Sequence, residues 1–197
     1  MLTDRGYGQP RTGSHTHETN NEQLPNPSTD IIITTEKITL HQGSVDLGGF
    51  GKGYVIDELS ALLQHHGVTD FLINGGGDLY GTSNHGTPLS VYLEHPTMPD
   101  TYLGRVELHH QGFAASSPYK RVWKQGGIEH THIVGITEFA TYVVAKSAAI
   151  ADAFATAALL LPEEDLMMCA QADLDGFARY EPRTSMLTQH QLSLNIL

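Results

Sequence analysis

VDLGGFGKGYVIDELSALLQHHGVTDFLINGGGDLY, residues 45–80, holds two glycine-rich turns around one amphipathic helix and one apolar strand, and the rest of the chain reads as built around it. Its first turn, Gly48-Gly49-Phe50-Gly51-Lys52-Gly53, sets four glycines and a lysine just before a helix. Glycine permits positive φ and lets a ligand approach the backbone closely, while the first N–H groups of a helix lack partners and carry partial positive charge. An anion is the natural guest of such a turn. Val55, Ile56, Leu59, Leu62 and Leu63 recur at helical spacing, and Gly67 is placed as the stop. Asp57 and Glu58 then fall in the first helical turn, where they serve either the helix dipole or a ligand. Phe71-Leu72-Ile73 forms a short strand. Gly75-Gly76-Gly77-Asp78 ends it in a backbone shape few other residues accept, a second point of close approach for a ligand.

Two phosphate-loop patterns fail on this stretch. The Walker pattern needs a glycine five positions before Gly51 and a Ser or Thr after Lys52, where the chain has Asp46 and Gly53. A dinucleotide fingerprint started at Gly49 needs glycine where Tyr54 stands. As a whole the residues resemble the D-L-G-G-[apolar]-[GA]-K-G-[YF]-x-x-D segment of the ApbE family, whose members are FAD:protein FMN transferases.

The chain has 197 residues, of which 40% are hydrophobic, enough for one domain with a proper core. A formal charge of −11, with only 11 Lys and Arg scattered along the chain, excludes nucleic acid as a partner. A bound flavin dinucleotide would also be anionic, so it calls for local cations: Lys52, backbone amides or a divalent metal. Cys169 is the single cysteine, so no intrachain disulfide forms. Residues 1–29 are polar and proline-containing, expected as a disordered tail, with residues 30–197 as the single domain. They hold no apolar run suited to a leader or a membrane span. The expected compartment is the cytoplasm for a complete chain, and the periplasm or another extracytoplasmic space for a processed one.

Ile31 to Thr35 and Ile38 to Leu40 read as a β-hairpin, and strands follow at 89–94 and 102–108 after a loop at 81–86. Further strands are expected at 113–117, 120–123 and 129–136, the last two joined by a turn at Gln125-Gly126-Gly127. Thr141 to Ala145 is a strand, and Ser147 is the N-cap of an alanine-rich helix closed by Pro162. A helix at 163–172 and a strand at 176–180 complete the assignable pattern; residues 184–197 carry none. Strands and helices do not alternate regularly enough for a parallel doubly wound sheet. The fold class is therefore α+β, a mixed and mostly antiparallel sheet packed with helices.

Asp152 and Thr156 are four apart and share a helical face. As hard oxygen donors they suit Mg²⁺, which keeps substrate phosphates in its shell. The bland alternative is a dipole carboxylate and a hydroxyl bonded back to its own helix. His132 has the pKa range of a base near neutral pH, or is a half-exposed strand residue. His130 and His132 point the same way on a strand, but no third ligand at motif spacing supports zinc.

The resemblance extends over roughly Ile31 to Leu161 with three motifs in family order. VAKSAAIADAFATAALLL, residues 144–161, is similar to the family's metal helix, and EHTHIV, residues 129–134, to its [SH]-H-I-[IV] strand. It implies that Asp152 and Thr156 hold Mg²⁺ with the carbonyls of Val55 and Ala148, that Lys52 and Glu58 lie beside FAD, and that His132 contacts the flavin dinucleotide and carries a proton. The implied catalytic residues are His132 and Asp152. Gly75, Gly76, Gly77 and Asp78 join the expected cofactor-binding set. The implied activity is cleavage of FAD with transfer of FMN to a Thr or Ser of an acceptor flavoprotein. FAD diphosphatase activity and a non-catalytic flavin-binding module are the alternatives. Two departures stand out: Gly135-Ile136-Thr137-Glu138 replaces the family's D-P-x-T, and Pro118 replaces the glycine of A-[TS]-S-G. Full-length members carry a long segment before D-L-G-G, so a short or N-terminally truncated member is expected.

Overall fold

The computed structural model of the protein describes residues 27–41, 47–84, 86–119, 122–125, 128–131, 138–167, 174–192 and 195–196. The chain divides into two compact units, 1–47 and 48–197. Most of the stretch expected as a disordered tail, residues 1–26, lies outside the described residues. In the first unit a short helix α1 (Pro27–Asp30) leads into β1 (Ile31–Ile33) and β2 (Ile38–Leu40). These two strands pair antiparallel with Ile31 opposite Leu40, the expected hairpin. Thr34 shapes its turn: the hydroxyl accepts the Glu36 and Lys37 N–H groups at 3.3 and 3.1 Å.

The second unit follows a 3-10 turn with α2 (Gly51–His65), β3 (Phe71–Asn74), β4 (Leu79–Thr82), β5 (Leu89–Glu94), β6 (Tyr102–Leu108) and β7 (Gln111–Ser116). Then come β8 (Val122–Gln125), β9 (Ile128–Thr131), β10 (Ala140–Ala145), α3 (Ala148–Leu160), β11 (Leu174–Glu181), β12 (Met186–His190) and β13 (Asn195–Ile196). Six strands form one sheet in the order β12-β11-β10-β7-β4-β3, and three more form a second in the order β13-β6-β5. All described pairings are antiparallel, so the α+β architecture with a mostly antiparallel sheet is as expected. β8 and β9 make a separate ribbon with Gln125 opposite Ile128; Gly126-Gly127 between them lies outside the described residues.

The central strand β10 is buried along its whole length, and strand alternation explains how. Val143 and Ala145 face one way, joining Ala114 and Phe177 against Ala151, Ala155 and Ala158 of α3. Tyr142 and Val144 face the other way, against Val91, Leu93, Val106 and Leu108 of the smaller sheet. A helix layer and a second sheet thus enclose the six strands. Alanines on the inner face of α3 let the helix backbone come close to the sheet, and the Thr141 hydroxyl donates to the Ala155 carbonyl at 2.6 Å. Ser147 caps α3 as expected, accepting the Ile150 N–H at 3.2 Å. At its other end the Arg179 guanidinium donates to the Leu161 carbonyl at 2.6 Å. Among the described residues no helix is long and apolar enough to cross a membrane.

Four details differ from the sequence expectation. α2 begins at Gly51, inside the glycine turn, so Asp57 and Glu58 stand in its second turn rather than its first. The apolar spacing locates this helix but not its inner face. Val55, Leu59 and Leu62 are 55, 45 and 53% exposed, whereas Gly53, Ile56 and Ser60 are buried. Packing against α3 selects glycine at position 53, where a Cβ would strike the Ala148 backbone, while Ile56 packs against Gly75. The loop expected at 81–86 gives up Gly81 and Thr82 to β4, and Gly81 fits there because a Cβ would sit 3.0 Å from the Leu89 side chain. Residues 184–197, without a readable pattern, supply β12 and β13; residues 163–167 are helical, and the rest of the helix expected there lies outside the described residues.

Candidate functional site

The N-terminal ends of α2 and α3 meet, and the residues between them form a compact polar cluster. Phe50 precedes α2 without a side-chain cap, so the helix's first amides look elsewhere for acceptors. Gly53 N–H finds the Asp152 Oδ2 at 3.2 Å, an oxygen from the second turn of α3. Close approach makes this bond reachable: a Cβ at Gly53 would lie 2.3 Å from the Ala148 carbonyl oxygen. The Lys52 ammonium pairs with the Asp78 carboxylate and stands 3.4 Å from the Asp152 Oδ1. Asp78 and Asp152 are each 3% exposed, so two buried carboxylates share one lysine. A buried charge without a partner is strongly disfavoured, and this group carries one negative charge more than it neutralises. A cation or an additional hydrogen-bond donor is the complementary guest.

Thr156 lies one turn beyond Asp152, and its side chain comes within 3.8 Å of the place where a Gly49 Cβ would be. The Ser116 hydroxyl at the end of β7 is 3.5 Å from the Thr156 hydroxyl. The glycine turn before α2 is therefore set against the aspartate-bearing face of α3, the juxtaposition expected from the Lys52, Asp152 and Thr156 motifs.

Asp78 reaches the cluster through the second glycine turn. Asn74 at the end of β3 accepts the Gly76 and Gly77 N–H groups on its side-chain oxygen, both at 3.0 Å, and Gly75 N–H donates to the Asp78 carbonyl at 2.8 Å. Gly76 and Gly77 have φ of 88° and 111°, which only glycine adopts without strain. All three glycine amides are engaged inside the turn, so what it delivers to the site is the Asp78 carboxylate. Gly75 has a packing role as well, since a Cβ there would meet Ile56 of α2 at 2.7 Å.

The other expected residues divide. The Ala148 carbonyl lies at the cluster, against Gly53. Val55 and Glu58 are exposed on α2, and no described hydrogen bond ties either to Asp152 or Thr156. His132 lies outside the described residues, one position beyond the end of β9. Sequence reasoning missed Asn74, Ser116 and the use of Asp57. The last two were within reach, because Ser116 sits in a quoted motif and Asp57 closes the D-L-G-G segment.

Whether Mg²⁺ suits these residues is a question of donor chemistry. The oxygens of Asp152, Thr156 and the Ala148 carbonyl are hard donors, and one or two carboxylates with room for phosphate oxygens is the usual Mg²⁺ arrangement. Ala148 opens a helix, but a carbonyl oxygen has a second lone pair beyond its intrahelical bond. Among the described residues no group of three His, Cys, Asp or Glu side chains gathers to hold a metal ion, so a bound ion would rely on hydroxyl, carbonyl and substrate oxygens as well. The donor set fits magnesium.

A family-wide sequence profile, that of the ApbE family, matches residues 5–179. The chain belongs to the ApbE family. Similar proteins include an FAD:protein FMN transferase of Vibrio cholerae, 27% identical over an alignment 157 residues long that covers 69% of this chain and 47% of the relative. Another, from Rhodobacter capsulatus, is 30% identical over an alignment 150 residues long that covers 70% of this chain and 28% of the relative. This ApbE-family chain thus spans about half the length of the Vibrio relative or less of the other. Its fold is similar to that of the Thermotoga maritima ApbE protein, with a TM-score of 0.71 at 17% identity, covering 88% of this chain and 64% of that one. The Pseudomonas stutzeri flavinyl transferase ApbE gives 0.64 at 19% identity, covering 86% and 59%.

Proposed function

We propose that this ApbE-family chain is an FAD:protein FMN transferase that cleaves the pyrophosphate of FAD and attaches FMN to a Thr or Ser hydroxyl of an acceptor protein. The observation that carries this reading is the meeting of Lys52, Asp78, Asp152 and Thr156 at the crossing of α2 and α3. The names of the Vibrio and Rhodobacter relatives support it.

In this reading the partly exposed Lys52 ammonium, still paired with Asp78, supplies positive charge beside the pyrophosphate in an otherwise acidic protein. Asp152 and Thr156 would hold Mg²⁺ together with the carbonyls of Ala148 and Val55. When bound, the metal neutralises negative charge that develops on the phosphate oxygens as the leaving group departs. Gly49, without a side chain, leaves room beside Thr156 for the phosphates. Glu58, exposed on α2, lies beside FAD. His132 takes the proton of the attacking hydroxyl; the new bond joins that oxygen to the FMN phosphorus, and the bond to AMP breaks. Positioning and charge stabilisation account for most of the rate in such a transfer.

The test is incubation with FAD, Mg²⁺ and an acceptor flavoprotein, followed by in-gel flavin fluorescence and AMP quantitation. Covalent flavin and AMP in equal amounts are expected with the unaltered chain, and neither with Asp152→Asn. Free FMN without covalent flavin would instead make water the nucleophile and the protein a diphosphatase. Tight FAD binding with no product would reduce it to a flavin-binding module.

A further inference from the structure

Asp57 makes no described hydrogen bond to Lys52, Asp78, Asp152 or Thr156, yet both of its carboxylate oxygens are engaged. Its Oδ1 accepts the Ala148 N–H at 2.8 Å and its Oδ2 the Ala149 N–H at 2.9 Å. Both oxygens of a side chain from the middle of α2 thus hold the first two amides of α3. Asp152 does the reverse, reaching from α3 to the Gly53 N–H in the first turn of α2 at 3.2 Å. Each helix supplies the carboxylate that caps the other. Ser147 also caps α3, but it acts on Ile150 within its own helix and makes no link to α2. A charged acceptor on two amides at a helix N-terminus combines charge-assisted hydrogen bonds with a favourable dipole.

We propose that Asp57 is a positioning residue: its two-pronged hold on the start of α3 fixes that helix against the Lys52 turn, and so carries the Asp152 carboxylate and the Ala148 carbonyl to the site. Asp57 acts through Asp152 and does not meet the substrate. Its consequence for metal binding rests on the function proposed above; the positioning itself does not. The same contact occupies the anion-attracting end of α3 with a protein carboxylate, which leaves the α2 turn as the end facing FAD.

Asp57→Asn keeps one acceptor oxygen and turns an NH2 group against the second amide, donor against donor. Ser147→Ala is the matched control, since it too removes a cap of α3 but not the bridge. Amide hydrogen exchange followed by NMR reads the Gly53 N–H, which is protected only while Asp152 reaches it. Exchange is expected to speed up by about ten-fold or more in Asp57→Asn and by less than about two-fold in Ser147→Ala. Calorimetric titration with Mg²⁺ alone is expected to show about ten-fold weaker binding in Asp57→Asn only. Unchanged Gly53 protection in Asp57→Asn, or equal loss in both variants, overturns the proposal. A wild-type chain that takes up no Mg²⁺ removes the metal from the proposed function, while the Gly53 amide still decides the role of Asp57. Should Asp57→Asn fail to fold, Asp57→Glu, which keeps the charge and shifts it by one methylene, is read the same way.

Discussion

Gly53→Ala separates the packed-helix account from its rivals because local and tertiary effects pull in opposite directions. In a helix free of contacts, alanine is about 0.8–1 kcal/mol better than glycine, so the substitution alone would stabilise the protein. Here the added Cβ would lie 2.3 Å from the Ala148 carbonyl oxygen, 2.5 Å from its carbon and 2.7 Å from the Ala149 Cα. All three neighbours are backbone, so no side chain can swing away. Ordinary C···O contact begins at about 3.3 Å, so α3 has to retreat by about 1 Å. Overpacking of this kind costs about 1–3 kcal/mol, and the absence of a yielding side chain puts Gly53→Ala at the upper end. After the propensity gain, the net loss is about 2 kcal/mol, a fall of about 4–8 °C in Tm for a chain of this size. The retreat also draws Asp152 away from the Gly53 amide, so under the proposed function turnover of FAD should fall as well. Urea unfolding and scanning calorimetry measure the first effect, and AMP release from FAD the second. A Gly53→Ala protein as stable as the wild type or more so would refute the contact between α2 and α3.

Two further outcomes follow from the packing. Ile56→Ala, which empties a position 2% exposed against the Gly75 turn, should cost about 2–4 kcal/mol, while Leu59→Ala, 45% exposed, should cost less than about 0.5 kcal/mol; urea midpoints compare them. Tyr142 donates to the Glu94 carbonyl at 2.6 Å, and burial foremost pushes its phenol above the ordinary 10.0. The folded chain therefore keeps a proton that the unfolded chain releases. Stability from this group is present below pH 10.0 and lost as pH rises through the folded value, at up to about 1.4 kcal/mol per pH unit. Tyr142→Phe should cost about 1–2 kcal/mol at neutral pH and lose stability less steeply above pH 10.0, as denaturant titrations across alkaline pH would show.

Much of this arrangement was legible in the sequence, and the misses have physical causes. Periodicity located α2, α3 and most strands, because burial imposes a repeat of 3.6 or 2 on side chains. It misjudged which side of α2 is buried: contact with α3 at Gly53 is made by a residue with no side chain, so hydrophobicity carries no trace of it. The start of α2 was missed for the same reason, since Gly51 and Gly53 look like breakers until their neighbours are known. Asp152 and Thr156 were visible as an i, i+4 pair, and their meeting with Lys52 was implied by resemblance to the ApbE family. For Asp57 the sequence offers two roles, its own helix dipole or a ligand, and the partner it takes is neither. Its actual partners are Ala148 and Ala149, about ninety positions along the chain, and no local pattern encodes a hydrogen bond to another helix's backbone. Strand β12 is half-exposed and lies at the edge of the sheet, where alternation is weak.

Anomalous diffraction from crystals soaked with Mn²⁺ and FAD tests the central claim most directly, because manganese substitutes for magnesium at oxygen sites and marks its own position. An anomalous peak in coordinating distance of an Asp152 carboxylate oxygen and the Thr156 hydroxyl, with the FAD pyrophosphate between it and Lys52, is the predicted result. Manganese bound elsewhere, or a pyrophosphate lying away from the crossing of α2 and α3, would contradict it.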